Sequence, residues 1–288
     1  MINYIQLLLK VHIHPVLWII IAISVLTANF KTVLLLMLII FIHEMGHAIS
    51  AHFFSWRIKS VMLLPFGGVA EVEEHGNRPL KEELIVVISG PLQHVWLQIT
   101  AFCLWKFGIV SIADYELFTF YNLSILLFNL LPIWPLDGGK LLFILFSCFK
   151  SFQKAHRLML RFSIAFLSVY IIAVLFLAPM QLNLWIIISF LIFCIVTEYR
   201  QRMYAIIRFL LERYYGKQTD FHQLKPLVVN EVDSIYDVLL QFQRGCKHPI
   251  IIEKDGKKVS QLDENELLHA YFIEKRTTST VGELVYTY

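Results

Sequence analysis

Charged residues are scarce in this chain, and their scarcity argues against most classes of soluble protein. Only 16% of the 288 residues are Asp, Glu, Lys or Arg, whereas 57% are hydrophobic. Soluble domains carry a charged fraction of about 25%, and the mean hydropathy of +0.63 points away from them as well. The composition therefore indicates a polytopic membrane protein. The formal net charge of +3 gives no reason to expect a nucleic-acid partner.

Cysteine is scarce too, and the few cysteines have no paired spacing. The four positions are Cys103, Cys148, Cys194 and Cys246, and three of them lie in apolar stretches. This pattern argues against a disulfide framework and against a metal site built from cysteines. The N-terminal region also lacks the small-residue cleavage pattern of a signal peptide, so its first apolar stretch is predicted to be a retained span.

Long apolar segments are abundant, and their number sets the predicted architecture. A bilayer core of about 30 Å requires about 20 mainly apolar helical residues. Six segments approach this length: about 11–30, 33–54, 84–107, 115–131 with an extension to about 149, 158–178 and 182–199. With six spans, every loop rich in Lys and Arg falls on the same side, which predicts cytoplasmic termini. Residues 1–199 are therefore expected to form an all-α polytopic membrane domain of about six transmembrane helices.

The remaining third of the chain changes in character. Residues 200–223 mix basic with large apolar side chains, which predicts a basic interfacial linker helix. A continuation of the last span is the alternative. Residues 224–288 are predicted to be a small α/β cytoplasmic domain with the element order β-α-β-β-α, including a capping box at Asp263 and Glu266. A unit of about 65 residues has a marginal core, so we expect it to pair with another copy or with the membrane domain.

The second predicted span carries three ionisable residues in its interior, His43, Glu44 and His47, besides His52 near its end. Residues four apart on a helix share a face, with Cβ atoms about 5–6 Å apart, so the two histidines can hold one metal ion. The pattern is the H-E-x-x-H arrangement of zinc hydrolases, in which the glutamate is the general base. A central charge in a span costs about 2.5–3.5 kcal/mol on insertion scales. The alternative is a polar contact between helices without metal.

A catalytic zinc ion needs a third protein ligand and an open position. Asp137 is the only acidic residue between Glu116 and Glu198. Two prolines before it and two glycines after it predict a break in the helix at membrane depth, which is tolerated only where the backbone is buried in protein or lines a cavity. A helix N-cap at the membrane surface is the alternative. Together with the two histidines, Asp137 completes one predicted Zn²⁺ site per chain.

These motifs resemble the site-2 protease family of intramembrane metalloproteases, which cleave membrane-associated substrates. The resemblance covers roughly residues 35–140 and includes a later N-x-x-P-x-x-x-x-D-G element. It implies zinc ligation by His43, His47 and Asp137, with Glu44 as the catalytic base. It also implies that Asn129 contacts the substrate or an oxyanion.

Three further features of the sequence can be compared with the site-2 protease family or placed near its site. Pro135 stands one residue later than the second proline of many members, and we expect it to shape the backbone near the aspartate and to contact the substrate. His94 replaces the asparagine of the family's G-P-x-x-N element. Residues 61–72 predict a hairpin whose edge can pair with an extended substrate, with Phe66 as a substrate contact. A hairpin that only packs against the second span is the alternative.

Residues 224–275 resemble a single CBS motif. CBS motifs work in pairs, so the resemblance implies a homo-oligomer formed through this domain. Ser260 with Asp263 is the nearest match to the nucleotide-binding element of that family, which implies ATP as a ligand of the CBS-like domain.

Six spans followed by a CBS motif are typical of a bacterial group of site-2 proteases, and the chain resembles the sporulation members found in endospore-forming bacilli. This resemblance implies a pro-sigma factor as substrate, cleaved near its N-terminal pro-sequence. It also implies membrane proteins that inhibit the protease until a signal arrives, and a location in the mother-cell membrane around the forespore.

Three other functions compete with this interpretation. A metal transporter needs several metal sites along a path, whereas the sequence has one compact cluster. A regulatory membrane protein with a structural zinc has no use for a carboxylate such as Glu44 beside the metal. A membrane hydrolase acting on lipid amides differs only in its products.

Overall fold

The structure is a computed structural model of the full chain. It describes residues 11–13, 18, 30–56, 58–64, 67–72, 78–216, 223–254 and 256–285. Two compact units emerge. The first contains Met1–Glu74, Lys81–Leu142 and Phe162–Ile195, and the second contains His75–Leu80, Phe143–Arg161 and Val196–Tyr288. The predicted domain boundaries at 199 and 223 stay predictions.

Helices dominate the described part of the chain before residue 216. They are α1 (Phe30–Phe53), α2 (Leu80–Lys106), α3 (Ile112–Asn129), α4 (Asp137–Phe149), α5 (Phe152–Leu177) and α6 (Leu182–Tyr215). Among the described residues, α1, α2, α5 and α6 are long and apolar enough to cross a membrane. The predicted multi-pass helical architecture is therefore confirmed, and the number of six spans stays a prediction.

Helices α1 and α2 expose large apolar side chains and bury histidines. On α1, Leu34 is 54% exposed whereas His43 is 2% exposed. On α2, Trp96 is 64% exposed whereas His94 is 1% exposed. Apolar side chains can face lipid, whereas ionisable groups in a span face the interior of the bundle. The burial pattern thus follows from the bilayer as solvent.

The first unit also contains a three-stranded sheet, which contacts α1. Strands β1 (Val11–Ile13), β2 (Ile58–Leu64) and β3 (Gly67–Val72) have the order β1-β2-β3. The predicted hairpin is formed by β2 and β3, which pair antiparallel, while β1 pairs parallel to β2. The prediction that residues 11–13 begin a helical span was wrong, because β2 offers these residues an edge of backbone donors and acceptors.

The helix break predicted before the aspartate is present between α3 and α4. Residues 130–136 form a turn in which the Trp134 N–H donates to Ser163 Oγ at 3.0 Å. A Cβ atom at Gly138 would overlap the carbonyl oxygen of Leu130. Glycine is required at this position because the turn folds back directly onto the first turn of α4.

Residues 200–215, predicted as part of a separate linker helix, continue α6 without a break from Leu182 to Tyr215. This continuity matches the alternative considered for that segment. The placement of residues 200–223 at the membrane interface stays a prediction.

The C-terminal part of the second unit is a small α/β fold. Its elements are β4 (Gln223–Leu224), β5 (Leu227–Asn230), α7 (Ile235–Leu239), β6 (Cys246–Lys247), β7 (Ile250–Lys254), β8 (Lys257–Leu262), α8 (Glu264–Phe272) and α9 (Val281–Val285). The main sheet has the order β5-β7-β8, with β5 parallel and β8 antiparallel to β7. The predicted order β-α-β-β-α is present, and α8 begins with the predicted capping box of Asp263 and Glu266.

An ion pair lies in the core of the second unit. Arg213 of α6 donates to Glu264 of α8, with Nη2 2.8 Å from Oε2, and both side chains are almost completely buried. Arg213 also donates to the carbonyl of Gln243 at 2.8 Å, and Glu264 accepts the backbone N–H of His248 at 2.9 Å. These further bonds help to offset the cost of removing both charges from water.

Candidate metal centre

Three buried side chains converge where α1 meets the start of α4. His43 and His47 lie one turn apart on α1, with their Nε2 atoms 3.1 Å from each other. Asp137 is the first residue of α4, and its Oδ2 lies 3.1 Å from Nε2 of each histidine. Among the described residues, these three form the only group of His, Cys, Asp or Glu side chains that could hold a metal ion, with ligand atoms within 4.8 Å of one another.

This triangle fits a zinc ion. Bonds of about 2.0–2.1 Å in a tetrahedral site place the ligand atoms about 3.3 Å apart, close to the observed separations. His47 Nδ1 lies 2.7 Å from the carbonyl oxygen of Val86, so Nδ1 carries a proton, and in the neutral ring Nε2 carries the lone pair. A lone pair and a carboxylate oxygen that face each other at 3.1 Å repel unless a cation lies between them. The donor set therefore matches what the metal requires.

A hydrogen bond to Oδ1, the oxygen of Asp137 that does not face the histidines, holds the carboxylate in place. Lys140 lies one turn further along α4, and its Nζ donates to Asp137 Oδ1 at 3.0 Å. This bond directs Oδ2 towards the two histidines. It also supplies a positive charge beside a carboxylate that is buried in a membrane protein.

Helix α2 packs against α1 through small residues. A Cβ atom at Gly90 would overlap the His47 imidazole, and one at Gly46 would lie 2.7 Å from the carbonyl oxygen of Ser89. Ser89 Oγ in turn donates to the carbonyl of Gly46 at 2.9 Å. These close approaches bring the backbone of α2 within reach of the histidines, which is how the Val86 carbonyl becomes a hydrogen-bond acceptor for His47.

The structure describes three of the four other predicted site residues, Glu44, Asn129 and Pro135. Glu44 follows His43 in the same turn of α1 and is buried. Asn129 ends α3, and its Nδ2 donates to the carbonyl of Ile125 at 3.1 Å. Pro135 follows a cis peptide bond in the turn that leads to Asp137. Phe66 lies outside the described residues. The roles assigned to these residues stay predictions.

Two polar residues near the metal centre received no role from the sequence. His94 Nε2 lies 3.1 Å from His43 Nδ1, and Asn122 Oδ1 lies 2.7 Å from His94 Nδ1. Both side chains are buried within helices that are otherwise mainly apolar. A polar residue in the middle of a span, such as His94 in α2, is a signal for function, and a buried amide such as Asn122 in the apolar part of α3 is a similar one.

Comparison with known proteins agrees with this geometry. The sequence profile of Peptidase family M50 matches residues 31–113 and 106–170. Stage IV sporulation protein FB of Bacillus subtilis (strain 168) is 58% identical over 286 residues, which cover 99% of each chain. Zinc metalloprotease MJ0392 of Methanocaldococcus jannaschii is 32% identical over 142 residues, which cover 46% of this chain and 41% of the relative.

A solved structure shares the fold. The site-2 protease from Methanocaldococcus jannaschii superimposes with a TM-score of 0.52 and 27% sequence identity, covering 65% of this chain and 89% of that chain. The chain belongs to Peptidase family M50. It is an intramembrane zinc metalloprotease of the site-2 protease type.

Proposed function

We propose that His43, His47 and Asp137 bind one catalytic zinc ion and that Glu44 is the general base in peptide-bond hydrolysis. The triangle of three donor atoms with sides of 3.1 Å carries this proposal. Three protein ligands leave one position of a tetrahedral ion for water or substrate, which is the arrangement of catalytic rather than structural zinc sites.

The chemistry follows from these positions. A bound zinc ion supplies a Lewis acid that activates water near neutral pH. Glu44 takes the proton of the attacking water and transfers it to the leaving amine when the peptide bond breaks. Lys140 keeps the Asp137 carboxylate oriented during both steps. Asn129, Pro135 and Phe66 are assigned to the binding of the substrate backbone as part of the same proposal.

The proposed substrate is a pro-sigma factor, cleaved near its N-terminal pro-sequence during sporulation. The relative with 58% identity over nearly its whole length bears the name of a sporulation protein, which supports this role. Six spans with both termini in the cytoplasm would place the soluble C-terminal domain on the side where such a factor resides. Membrane-bound inhibitors and the mother-cell membrane around the forespore complete the proposal.

For the C-terminal domain we keep the proposal of a CBS-like unit that pairs between subunits. Its order of strands and helices supports this proposal. Nucleotide binding at Ser260 and Asp263 stays a prediction. The carboxylate of Asp263 already caps α8 and lies 2.9 Å from Lys247 Nζ, so ATP would compete with both contacts.

Cleavage of a co-expressed pro-sigma factor tests the proposal. We expect Glu44→Gln and Asp137→Asn to abolish cleavage at equal protein levels, and Glu116→Gln, an exposed acidic position on α3, to retain it. Metal analysis separates the roles, because Glu44→Gln should keep its zinc whereas Asp137→Asn should lose most of it. Full cleavage by Glu44→Gln would contradict the assigned base. If the unaltered chain holds zinc but leaves the pro-sigma factor intact, the substrate assignment is wrong.

A further inference from the structure

The outer nitrogen of His43 faces another side chain rather than a backbone carbonyl. His43 Nδ1 lies 3.1 Å from His94 Nε2, and His94 Nδ1 lies 2.7 Å from Asn122 Oδ1. All three side chains are buried. They form a chain of hydrogen bonds from α3 through α2 to α1, and this chain ends at one of the proposed zinc ligands.

The direction of every bond in this chain is fixed from its far end. Asn122 Nδ2 lies 3.0 Å from the backbone carbonyl oxygen of His94, which can only accept, so this atom must be the amide nitrogen. The same nitrogen donates to Gln98 Oε1 at 3.1 Å, while Gln98 Nε2 donates to Thr119 Oγ1 at 2.8 Å. The Asn122 oxygen therefore faces His94 and accepts from it.

The tautomers follow in sequence. Because Asn122 Oδ1 accepts, His94 Nδ1 carries the proton, and neutral His94 presents the lone pair of Nε2. That lone pair accepts from His43 Nδ1–H. His43 Nε2 is thereby left with a lone pair directed at the corner shared with His47 and Asp137. A histidine needs this tautomer to bind a metal through Nε2.

Helix α2 thus serves both histidines of α1 in different ways. The Val86 carbonyl fixes the tautomer of His47 directly, since a carbonyl has no alternative protonation state. For His43 the tautomer is fixed by the imidazole of His94. His94 Nε2 can accept a hydrogen bond only if a further group keeps the His94 proton on Nδ1. Asn122 meets that requirement.

We propose that His94 and Asn122 are positioning residues that set the tautomer and ring orientation of His43, and so tune the affinity of the zinc site. The inference rests on the proposed zinc ligation by His43. It predicts that the two residues act in series on zinc affinity. His94 acts directly on His43, and Asn122 acts only through His94. An asparagine at position 94 presents its own acceptor oxygen and needs no partner at position 122.

Zinc affinity of the full-length chain in detergent tests the inference, measured by competition with a chromophoric chelator. We expect His94→Phe to weaken zinc binding about 10–100-fold, because the ring is kept and the acceptor is lost. His94→Asn should restore part of the affinity. The lipid-facing change Thr100→Val on the same helix is the control.

The serial arrangement gives a second readout. We expect Asn122→Leu to weaken zinc binding and Asn122→Asp, which keeps the acceptor, to weaken it less. The double variant His94→Phe/Asn122→Leu should bind no more weakly than His94→Phe alone, since the second change removes a partner that no longer acts. Cobalt(II) in place of zinc should show an altered visible spectrum in His94→Phe and an unaltered one in Thr100→Val.

Each possible result either supports or overturns the proposed role of His94 and Asn122. Unchanged zinc affinity in both His94→Phe and Asn122→Leu would overturn the inference, as would losses that add in the double variant. If His94→Phe fails to fold, the comparison of Asn122→Leu with Asn122→Asp decides, and equal affinities there would overturn it. An unaltered chain that binds no zinc would refute the proposed function and the inference with it, whereas weakened binding in the variants alone supports both.

Discussion

Gly90 of α2 lies so close to the His47 imidazole that a single added Cβ atom would overlap the ring. The absence of a side chain at this position is therefore a condition of the metal centre. The contact also explains the glycine of the G-P-x-x-H element in physical terms, because α2 can present the Val86 carbonyl to His47 only at this short helix separation.

We expect Gly90→Ala to displace the His47 ring and to lower zinc affinity by at least about 100-fold, the upper end of the range for lost orienting contacts. Proteolytic activity should fall with it. Metal content of the purified protein and cleavage of the substrate measure the effect. Leu92→Ala, an exposed position two residues further along the same helix, should change neither quantity. Wild-type zinc content in Gly90→Ala would show that α1 and α2 can separate without loss of the site.

Lys140 offers a second prediction. Its Nζ donates to the outer oxygen of Asp137, so Lys140→Met should weaken zinc binding about 10–100-fold by releasing the carboxylate. Lys140→Arg keeps the charge and a donor, and should fall between Met and the natural residue. Chelator competition on all three proteins checks the order. Equal affinities in the three would mean that the carboxylate is held by the backbone alone.

The buried pair of Arg213 and Glu264 should dominate the stability of the second unit. Replacing one partner leaves an uncompensated buried charge, so Arg213→Met and Glu264→Gln should each cost about 3–5 kcal/mol. Urea-dependent proteolysis of the full chain in detergent gives the measurement. Lys254→Met removes a partly exposed pair with Glu231 and should cost less than about 1 kcal/mol. Comparable losses in all three variants would contradict this ranking.

Acid should destabilise the same unit through His248. Burial lowers the pKa of this imidazole, whose Nε2 accepts the N–H of Gln243 at 2.9 Å and whose Nδ1 donates to the carbonyl of Lys225 at 2.8 Å. The unfolded chain takes up a proton below about pH 6.5 whereas the folded one does not, so stability is full at neutral pH and falls below it.

The loss should reach at most about 1.4 kcal/mol per pH unit, the limit for one proton. Urea-dependent proteolysis between pH 5 and 8 gives the slope. His248→Gln retains a donor and an acceptor without titrating and should flatten it. An equal slope in that variant would assign the acid sensitivity to other groups.

Local sequence patterns predicted much of the fold because they depend on local physics. The spacing of His43 and His47, the break before Asp137 and the capping box at Asp263 all concern residues within a few positions of each other. The strand at residues 11–13 was missed because its stability comes from β2, where Val11 pairs with Val61, 50 residues later. Its apolar sequence alone resembles the start of a span.

In the metal centre, too, the local features were predicted and the contacts between helices were not. Its three predicted ligands are ionisable groups in apolar surroundings and therefore conspicuous. The partners of His43 were not predicted, because the role of His94 depends on the acceptor at Asn122, and that depends in turn on which way an amide faces. Such orientations arise from the packing of three helices and leave no periodic trace in the sequence.

The separation of the metal ligands along the chain also affects the order of assembly. Asp137 follows His47 by 90 residues. At a synthesis rate of about 5–20 residues per second, the two histidines are made roughly 5–20 s before their third partner. During that interval the nascent chain holds two metal ligands and no carboxylate, so it lacks the full donor set for tight zinc binding. The three-ligand metal site can therefore be completed only once Asp137, the first residue of α4, has been synthesised, and the segment that contains α1–α3 alone has no proteolytic activity.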